Sequence, residues 1–294
     1  MRRSVGIATV SLVLVLSILS GVAHSSAAVV TFKAKRPYTL FIPSTYNKSK
    51  PAPLILALHG YTSSGDEMEK FLQLTSIAQA KGILYVHPDG TMDSTESRFW
   101  NATPACCNLT NSSVDDDKYL MSIINDVSKK YNVDQKRIYI IGHSNGGFMA
   151  HHMACTHSDR IAAIASLAGA TYDDPAACKA KTAVSILQIW GTADATISYT
   201  GGYILDNPYP GAAKTMSSWA KIDKCLMKVI PLSKTLDIES TIPGNETSIG
   251  QYQGCANKTT VELWTMKGGF HTPNFSPGFA AKVVDFLLAH PKAN

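Results

Sequence analysis

The sequence predicts an α/β fold: a mainly parallel central sheet flanked by helices and stapled by disulfides. Three observations carry this. Short apolar, β-branched runs alternate with amphipathic stretches of helical period along most of the chain, the pattern of strands joined by right-handed helical crossovers. Leu54 to Leu58 is apolar at every position, as in a strand covered on both faces. Six cysteines all follow an N-terminal leader, and an even cysteine count in an exported chain indicates disulfides.

Taken in order, Tyr38–Ile42 reads as an early strand and Leu54–Leu58 as the next. A helical stretch is expected from Asp66 to Lys81, then a strand over Ile83–Val86 that ends in His87-Pro88-Asp89-Gly90. A polar loop with Trp100, Cys106 and Cys107 runs to Val114. Asp115, Asp116 and Asp117 then open a helix to about Tyr131; acidic residues suit a helix N-terminus, and capping accounts for them. Arg137–Ile141 is a short strand and Gly147–Met153 begins a helix. Ile161–Ala165, Val184–Trp190 and Val261–Met266 are further strands, and a final helix is expected over 278–289. The stretch from Tyr199 to Tyr252 reads as a longer polar insertion. With no internal repeat and no linker rich in Pro, Gly or Ser, residues 29–294 read as a single catalytic domain.

Between the Arg137–Ile141 strand and the following helix stands Gly142-His143-Ser144-Asn145-Gly146. Strand, G-x-S-x-G and helix together make the nucleophile elbow of an α/β-hydrolase, with the serine at the apex of a sharp turn. The glycines are required because the turn is too tight for a Cβ beside the neighbouring strand and helix. A serine hydroxyl needs a base, and the base needs an orienting carboxylate. In this fold the acid and then the base follow late strands. Asp194, in Gly191-Thr192-Ala193-Asp194 after the Val184–Trp190 strand, is the only carboxylate in its turn. His271, in Gly268-Gly269-Phe270-His271, follows the last strand, and the one later histidine, His290, lies at the C-terminus. The expected catalytic residues are therefore Ser144, Asp194 and His271. The oxyanion needs two backbone donors, expected from Asn145 and from Tyr61 in Leu58-His59-Gly60-Tyr61. His59 reads as structural. The clustered His143, His151, His152 and His157 do not suggest a metal site, because His151 and His152 are helix neighbours that face different directions. Tyr61, Trp100 and Trp190 are expected to line the acyl pocket. No cofactor or metal is expected.

The N-terminus has the three parts of a secretory signal peptide. Arg2 and Arg3 precede an apolar stretch from Val5 to Leu19, and small residues follow from Ser20 to Ala28. Cleavage is expected after Ala23 or Ala28, with an uncleaved anchor as the alternative; residues 1–28 are assigned to the signal. The mature chain is then secreted, extracellular or periplasmic, with no stable membrane association, and is expected to be a monomer. The formal charge of +5 falls by two when Arg2 and Arg3 are removed, and no Lys/Arg run longer than two remains. That is too little, and too scattered, to argue for nucleic acid, and no nucleic-acid partner is expected. Six N-x-S/T sequons occur, at Asn47, Asn101, Asn108, Asn111, Asn245 and Asn257.

Several motifs together resemble the secreted polyhydroxybutyrate depolymerase-like esterases, a family that includes feruloyl and acetylxylan esterases. They are Leu58-His59-Gly60, Cys106-Cys107 followed by Val114-Asp115-Asp116, Gly142 through Ala150, and Trp190-Gly191-Thr192-Ala193-Asp194. The resemblance covers essentially the whole mature chain and places the triad on the same Ser144, Asp194 and His271. Two positions depart from the family pattern: Trp190 stands where it usually has His, and Thr272 where it usually has Trp. The adjacency of Cys106 and Cys107 suggests separate partners, and the resemblance implies a bridge from that pair to Cys155 and another between Cys225 and Cys255. It implies a serine carboxylesterase acting on polyester or short hydroxyacid esters. The alternatives are a feruloyl or acetylxylan esterase acting on plant-wall polysaccharide and, in another class, a non-catalytic secreted binding protein on a hydrolase fold.

Overall fold

The computed structural model describes residues 26–32 and 36–293. Most of the expected signal peptide, including the first candidate cleavage point at Ala23, lies outside the described residues. Among the described residues no helix is long and apolar enough to cross a membrane.

The chain opens with strands β1 (Ala28–Phe32), β2 (Tyr38–Ile42) and β3 (Ala52–Leu58), then helices α1 (Gly65–Leu72) and α2 (Leu74–Lys81). Strand β4 (Leu84–Pro88) is followed by a small hairpin of β5 (Thr91–Met92) and β6 (Arg98–Phe99), helix α3 (Asp116–Lys130), strand β7 (Val133–His143) and helix α4 (Asn145–Thr156). Strands β8 (Ala163–Leu167) and β9 (Ser185–Gly191) come next. They lead to the hairpin β10 (Gly201–Ile204) and β11 (Asn207–Pro210), helix α5 (Ala212–Ile222), strands β12 (Val229–Leu236), β13 (Thr247–Tyr252) and β14 (Val261–Met266), and helix α6 (Phe279–Ala289).

Ten strands form one sheet in the order β1-β2-β4-β3-β7-β8-β9-β14-β13-β12. The six central strands, β4 to β14 in that order, run parallel, and two antiparallel strands extend each edge. This is the mainly parallel α/β sheet that the alternating pattern predicts. All seven residues of β3 are buried, and its side chains alternate between two cores. Leu54, Leu56 and Leu58 pack with α3, α4 and α5 on one face; Ile55 and Ala57 pack with α1, α2 and α6 on the other.

Three local features differ from expectation. The helix expected from Asp66 to Lys81 is two helices, because Gln73 adopts φ 53 and ends α1. Only Asp115 caps α3, accepting from the Lys118 N–H at 2.8 Å. Asp116 instead accepts from the Asn101 N–H at 2.6 Å and pairs with Arg36, while Asp117 bonds His152 and His157. The polar stretch 199–252 is not one loop: it holds the β10–β11 hairpin, α5 with buried Met216 and Trp219, and the two edge strands β12 and β13. Pro231 and a register shift between Pro231 and Thr235 interrupt β12, which discourages further strands from pairing with that edge.

The disulfides are Cys106–Cys107, Cys155–Cys178 and Cys225–Cys255. The last is as the resemblance implies. The other two correct the expectation: Cys106 and Cys107 bond each other, and neither reaches Cys155. Cys155 faces the β8–β9 connection, where the turn Pro175–Ala177 brings the Cα of Cys178 to 4.9 Å. Cys106 is held near the N-terminus of α4, its sulfur 3.7 Å from Asn145 Nδ2. Non-reducing peptide mapping checks this connectivity. It should return a Cys155–Cys178 peptide and no peptide joining Cys155 to Cys106 or Cys107; recovery of the latter would contradict the fold described.

Candidate active site

The site is built where backbones touch. Leu58 at the end of β3 is in register with Gly142 at the end of β7. A Cβ on Gly142 would overlap the Gly146 carbonyl, and one on Gly146 would overlap the Leu58 carbonyl. The chain can therefore fold back sharply only with glycine at both positions. At the apex Ser144 has φ 54 and ψ −121, a conformation that costs about 1–3 kcal/mol in a non-glycine residue. Its N–H donates to the Leu167 carbonyl at 2.8 Å, and its own carbonyl accepts from Gly147 and Phe148 at 2.8 and 3.0 Å. Those bonds hold the strained residue in place.

A second glycine contact joins the other two loops. A Cβ on Gly191, at the end of β9, would overlap the Gly269 carbonyl. Ala193 N–H donates to that same carbonyl at 3.0 Å, and Gly268 N–H donates to Thr192 Oγ1 at 2.8 Å. The loops carrying Asp194 and His271 are thus laced together before either side chain is considered.

The three side chains then meet. His271 Nδ1 lies 2.8 Å from Asp194 Oδ2, and His271 Nε2 lies 2.9 Å from Ser144 Oγ. Asp194 Oδ1 accepts from the N–H groups of Thr196 and Ile197 at 2.9 and 2.8 Å. An ionised carboxylate only accepts, so Nδ1 carries the proton and bonds Asp194. The Nε2 lone pair is left facing the Ser144 hydroxyl. The Asp194 side chain is fully buried and that of His271 is 15% exposed, so the relay runs from the interior to the cleft. The cleft has a volume of about 420 Å³ and is walled by Gly60, Tyr61, Phe71, Thr196 and Thr272 around Ser144 and His271.

His143 is a contact that sequence reasoning did not assign to the site. Its Nε2–H donates to the His271 backbone carbonyl at 2.9 Å. Burial and the neighbouring His271 push its pKa down to about 4. It therefore stays neutral and does not repel a transient imidazolium on His271. Its place within G-x-S-x-G was the available signal, but the partner comes from a loop 128 residues away.

His59 is structural, as expected. Gly90 N–H donates to its Nε2 at 2.8 Å, which puts the ring proton on Nδ1, bonded to the Gly60 carbonyl at 2.7 Å. This pins the end of β3. A Cβ on Gly60 would lie 3.4 Å from Ser144 Cβ, so the backbone entering Tyr61 runs beside the serine. Tyr61 lines the cleft, and its hydroxyl donates to Asp93 Oδ2 at 3.0 Å. Asn145 is at the first position of α4, where N–H groups have no intrahelical partner. Its side chain turns away and clamps the Trp100 backbone, accepting from Trp100 N–H at 2.7 Å and donating to Trp100 O at 2.9 Å.

Trp100 and Trp190 do not line the cleft; both are 0% exposed. Each indole N–H has a backbone partner inside the protein: His59 O at 3.0 Å for Trp100 and Ile197 O at 2.9 Å for Trp190. Their apolar area serves the core, and that corrects the expected role. Phe71, a half-buried residue on α1, takes a wall position instead. The remaining histidines have other partners. His151 bonds Gln188 and Trp219, both at 2.9 Å, while His152 and His157 share Asp117.

The buried histidines make stability pH-dependent. Burial lowers His59, His143 and His151 to about 4, so below pH ~6.5 the unfolded chain binds up to three protons that the folded chain refuses. Burial raises Asp223 to about 7, which opposes this by one proton. The balance is about two, so the unfolding free energy should rise with pH between 5 and 6.5, by up to ~3 kcal/mol per pH unit. Urea unfolding at a series of pH values checks this; a flat or falling profile would contradict it.

The family model described as "Putative esterase" matches residues 30–261. Feruloyl esterase B of Piromyces equi is 30% identical over 237 residues, covering 78% of this chain and 41% of that protein. Feruloyl esterase D of Neurospora crassa is 25% identical over 259 residues, covering 81% and 74%. The chain thus spans about two fifths of the length of the first of these relatives. Among solved structures, the acetyl xylan esterase from Aspergillus awamori superposes with a TM-score of 0.63 at 14% identity, over 88% of this chain and 98% of that one, which shows the shared fold. The chain belongs to this esterase family and has the α/β-hydrolase fold.

Proposed function

We infer that this protein is a secreted serine esterase that hydrolyses feruloyl or acetyl esters of plant-wall polysaccharide through an acyl-enzyme on Ser144. The observation that carries the serine mechanism is the unbroken relay from Asp194 through His271 to Ser144 at the mouth of an open cleft. Support for the substrate comes from the relatives named for feruloyl and acetylxylan ester cleavage. Support for export comes from the leader pattern and from three disulfides, which persist in oxidising compartments. Residues 29–294 form the catalytic domain in this reading, and the enzyme works as a monomer.

The steps follow from the geometry. Ser144 Oγ attacks the ester carbonyl as its proton passes to His271 Nε2. The imidazolium is held by Asp194 Oδ2, whose other oxygen is fixed by two backbone N–H groups. Negative charge on the former carbonyl oxygen is taken by the N–H groups of Asn145 and Tyr61. His271 returns the proton to the leaving sugar hydroxyl. It then takes one from water, which attacks the acyl-enzyme and frees Ser144.

The polyester reading remains the second. It is favoured by the motif set around Cys106-Cys107 and the elbow, and by Phe270, 62% exposed beside His271, an apolar contact suited to a polymer surface.

A turnover panel of methyl ferulate, acetylated xylan and polyhydroxybutyrate film separates the two. Hydrolysis of either of the first two, with the film untouched, is expected; cleavage of the film alone would overturn the wall-polysaccharide reading. On aryl esters of two to sixteen carbons the rate should peak at the short end, without a jump above the micellar concentration, because no long apolar insertion between Ser144 and Asp194 provides a lipase lid. Ser144→Ala should lower kcat by about 10⁴-fold or more, with unfolding free energy within about 1 kcal/mol of wild type. Near-normal turnover in that variant would refute the nucleophile.

A further inference from the structure

We propose that a second groove, opening directly off the catalytic cleft, is a subsite for the sugar chain that carries the scissile ester. The proposal rests on the polysaccharide reading above and adds where the chain lies. The cleft around Ser144 holds about 420 Å³, and beside it runs a groove of about 810 Å³. Phe71 and Thr272 line both, so the two spaces share walls. Together they are larger than a feruloyl or acetyl group needs, and the excess lies on one side of the serine.

Two features of the fold build this groove and keep it open. On one side, the left-handed Gln73 breaks the helix between α1 and α2, turning the chain away and leaving Gln73 and Ser76 exposed toward the groove. On the other, the segment after His271 is tied down from behind. Glu239, 2% exposed, accepts from the Asn274 N–H at 2.8 Å. Ser240 N–H donates to the Asn274 carbonyl at 2.7 Å, and Ser276 N–H donates to the Ile238 carbonyl at 2.9 Å. The far wall is therefore a braced loop, preorganised for a ligand.

The lining chooses the ligand. Exposed amide and hydroxyl groups of Gln73, Ser76, Thr272 and Asn274 alternate with the half-buried rings of Phe71 and Phe275. Those rings continue an aromatic row from His143: centroids are 5.0 Å apart for His143 and Phe71, and 5.1 Å for Phe71 and Phe275. A sugar ring presents hydroxyls at its rim and C–H groups on its faces, and needs that combination. An acyl tail would find hydrogen-bonding groups that it leaves unpaired, a costly mismatch. Lys70 is the one charged side chain lining the groove, so a neutral or uronate-bearing chain is accepted.

The test uses Ser76→Trp, which fills the groove, and Asn274→Ala, which removes one amide while keeping the backbone bonds of the loop. Two quantities are measured in each: the ratio of kcat/KM on acetylated xylo-oligosaccharide to that on 4-nitrophenyl acetate, and the inhibition of 4-nitrophenyl acetate hydrolysis by unesterified xylohexaose. Melting curves establish that each variant is folded. The proposal expects xylohexaose to inhibit the wild type. It expects the ratio to fall, and the inhibition constant to rise, by about tenfold in Ser76→Trp and less in Asn274→Ala. It is overturned if xylohexaose does not inhibit the wild type, or if both quantities stay within twofold in the folded variants. Inhibition by xylohexaose that is lost in Ser76→Trp, in an enzyme that cleaves neither acetylated xylan nor methyl ferulate, would uphold the groove and sink the assigned substrate instead.

Discussion

A backbone can lie against another backbone only where no Cβ stands between them, and this constraint sets the position of every group in the candidate site. Gly146 lets the start of α4 press on the carbonyl of Leu58, and Gly142 lets the same turn close on itself. The serine is thereby lifted out at φ 54 beside Gly60. Gly191 against Gly269 does the corresponding work for the acid and base loops. The side-chain relay is a consequence: once β3, β7, β9 and β14 end at one edge of a parallel sheet and their loops touch, His271 comes within 2.9 Å of both Asp194 and Ser144, residues far from it in sequence. Ligand sites at the C-terminal edge of parallel strands follow from the same geometry.

Around these contacts the protein spends its polar groups on orientation. His59 and His143, both buried, each hold a loop of the site by one ring N–H to a carbonyl. The Asn145 side chain, at the start of α4, clamps the Trp100 backbone. The Cys106–Cys107 pair sits behind that amide. Buried polar groups of this kind must be satisfied to be tolerated, and satisfied ones define a single arrangement. The cost is that neutral histidines resist protonation, which ties stability to pH through groups that do no chemistry.

Much of this was legible from local sequence. Ser144 is marked by the glycines around it, and Asp194 and His271 by their places after the last two parallel strands. The β3 strand announces itself as an unbroken apolar run from Leu54 to Leu58. What was not legible depends on contacts between distant segments. Nothing in the 66–81 stretch, with no glycine or proline between Asp66 and Lys81, signals that Gln73 will turn left-handed. The edge strand β12 buries only Leu236 among its residues, so its pattern is weak and reads as loop. Adjacent cysteines do not state their partners: Cys155 pairs with Cys178 because a short turn presents it, not because of any spacing. Trp190 lies close to Asp194 in sequence, yet both it and Trp100 point into the core, and direction is what a one-dimensional reading loses. The second groove is likewise invisible in sequence, since its walls come from residues 70–77 and 272–281.

The central claim is that Ser144, activated by His271, forms a covalent acyl-enzyme. The most direct measurement is intact-mass and peptide analysis of the protein quenched in acid during steady-state turnover of an activated aryl ester. The account predicts an added mass equal to one acyl group, located on the peptide that contains Ser144 and absent from enzyme quenched after the substrate is exhausted. An adduct on a different residue, or continued turnover with every alternative nucleophile and Ser144 unmodified under conditions where acyl transfer is fast, would contradict it.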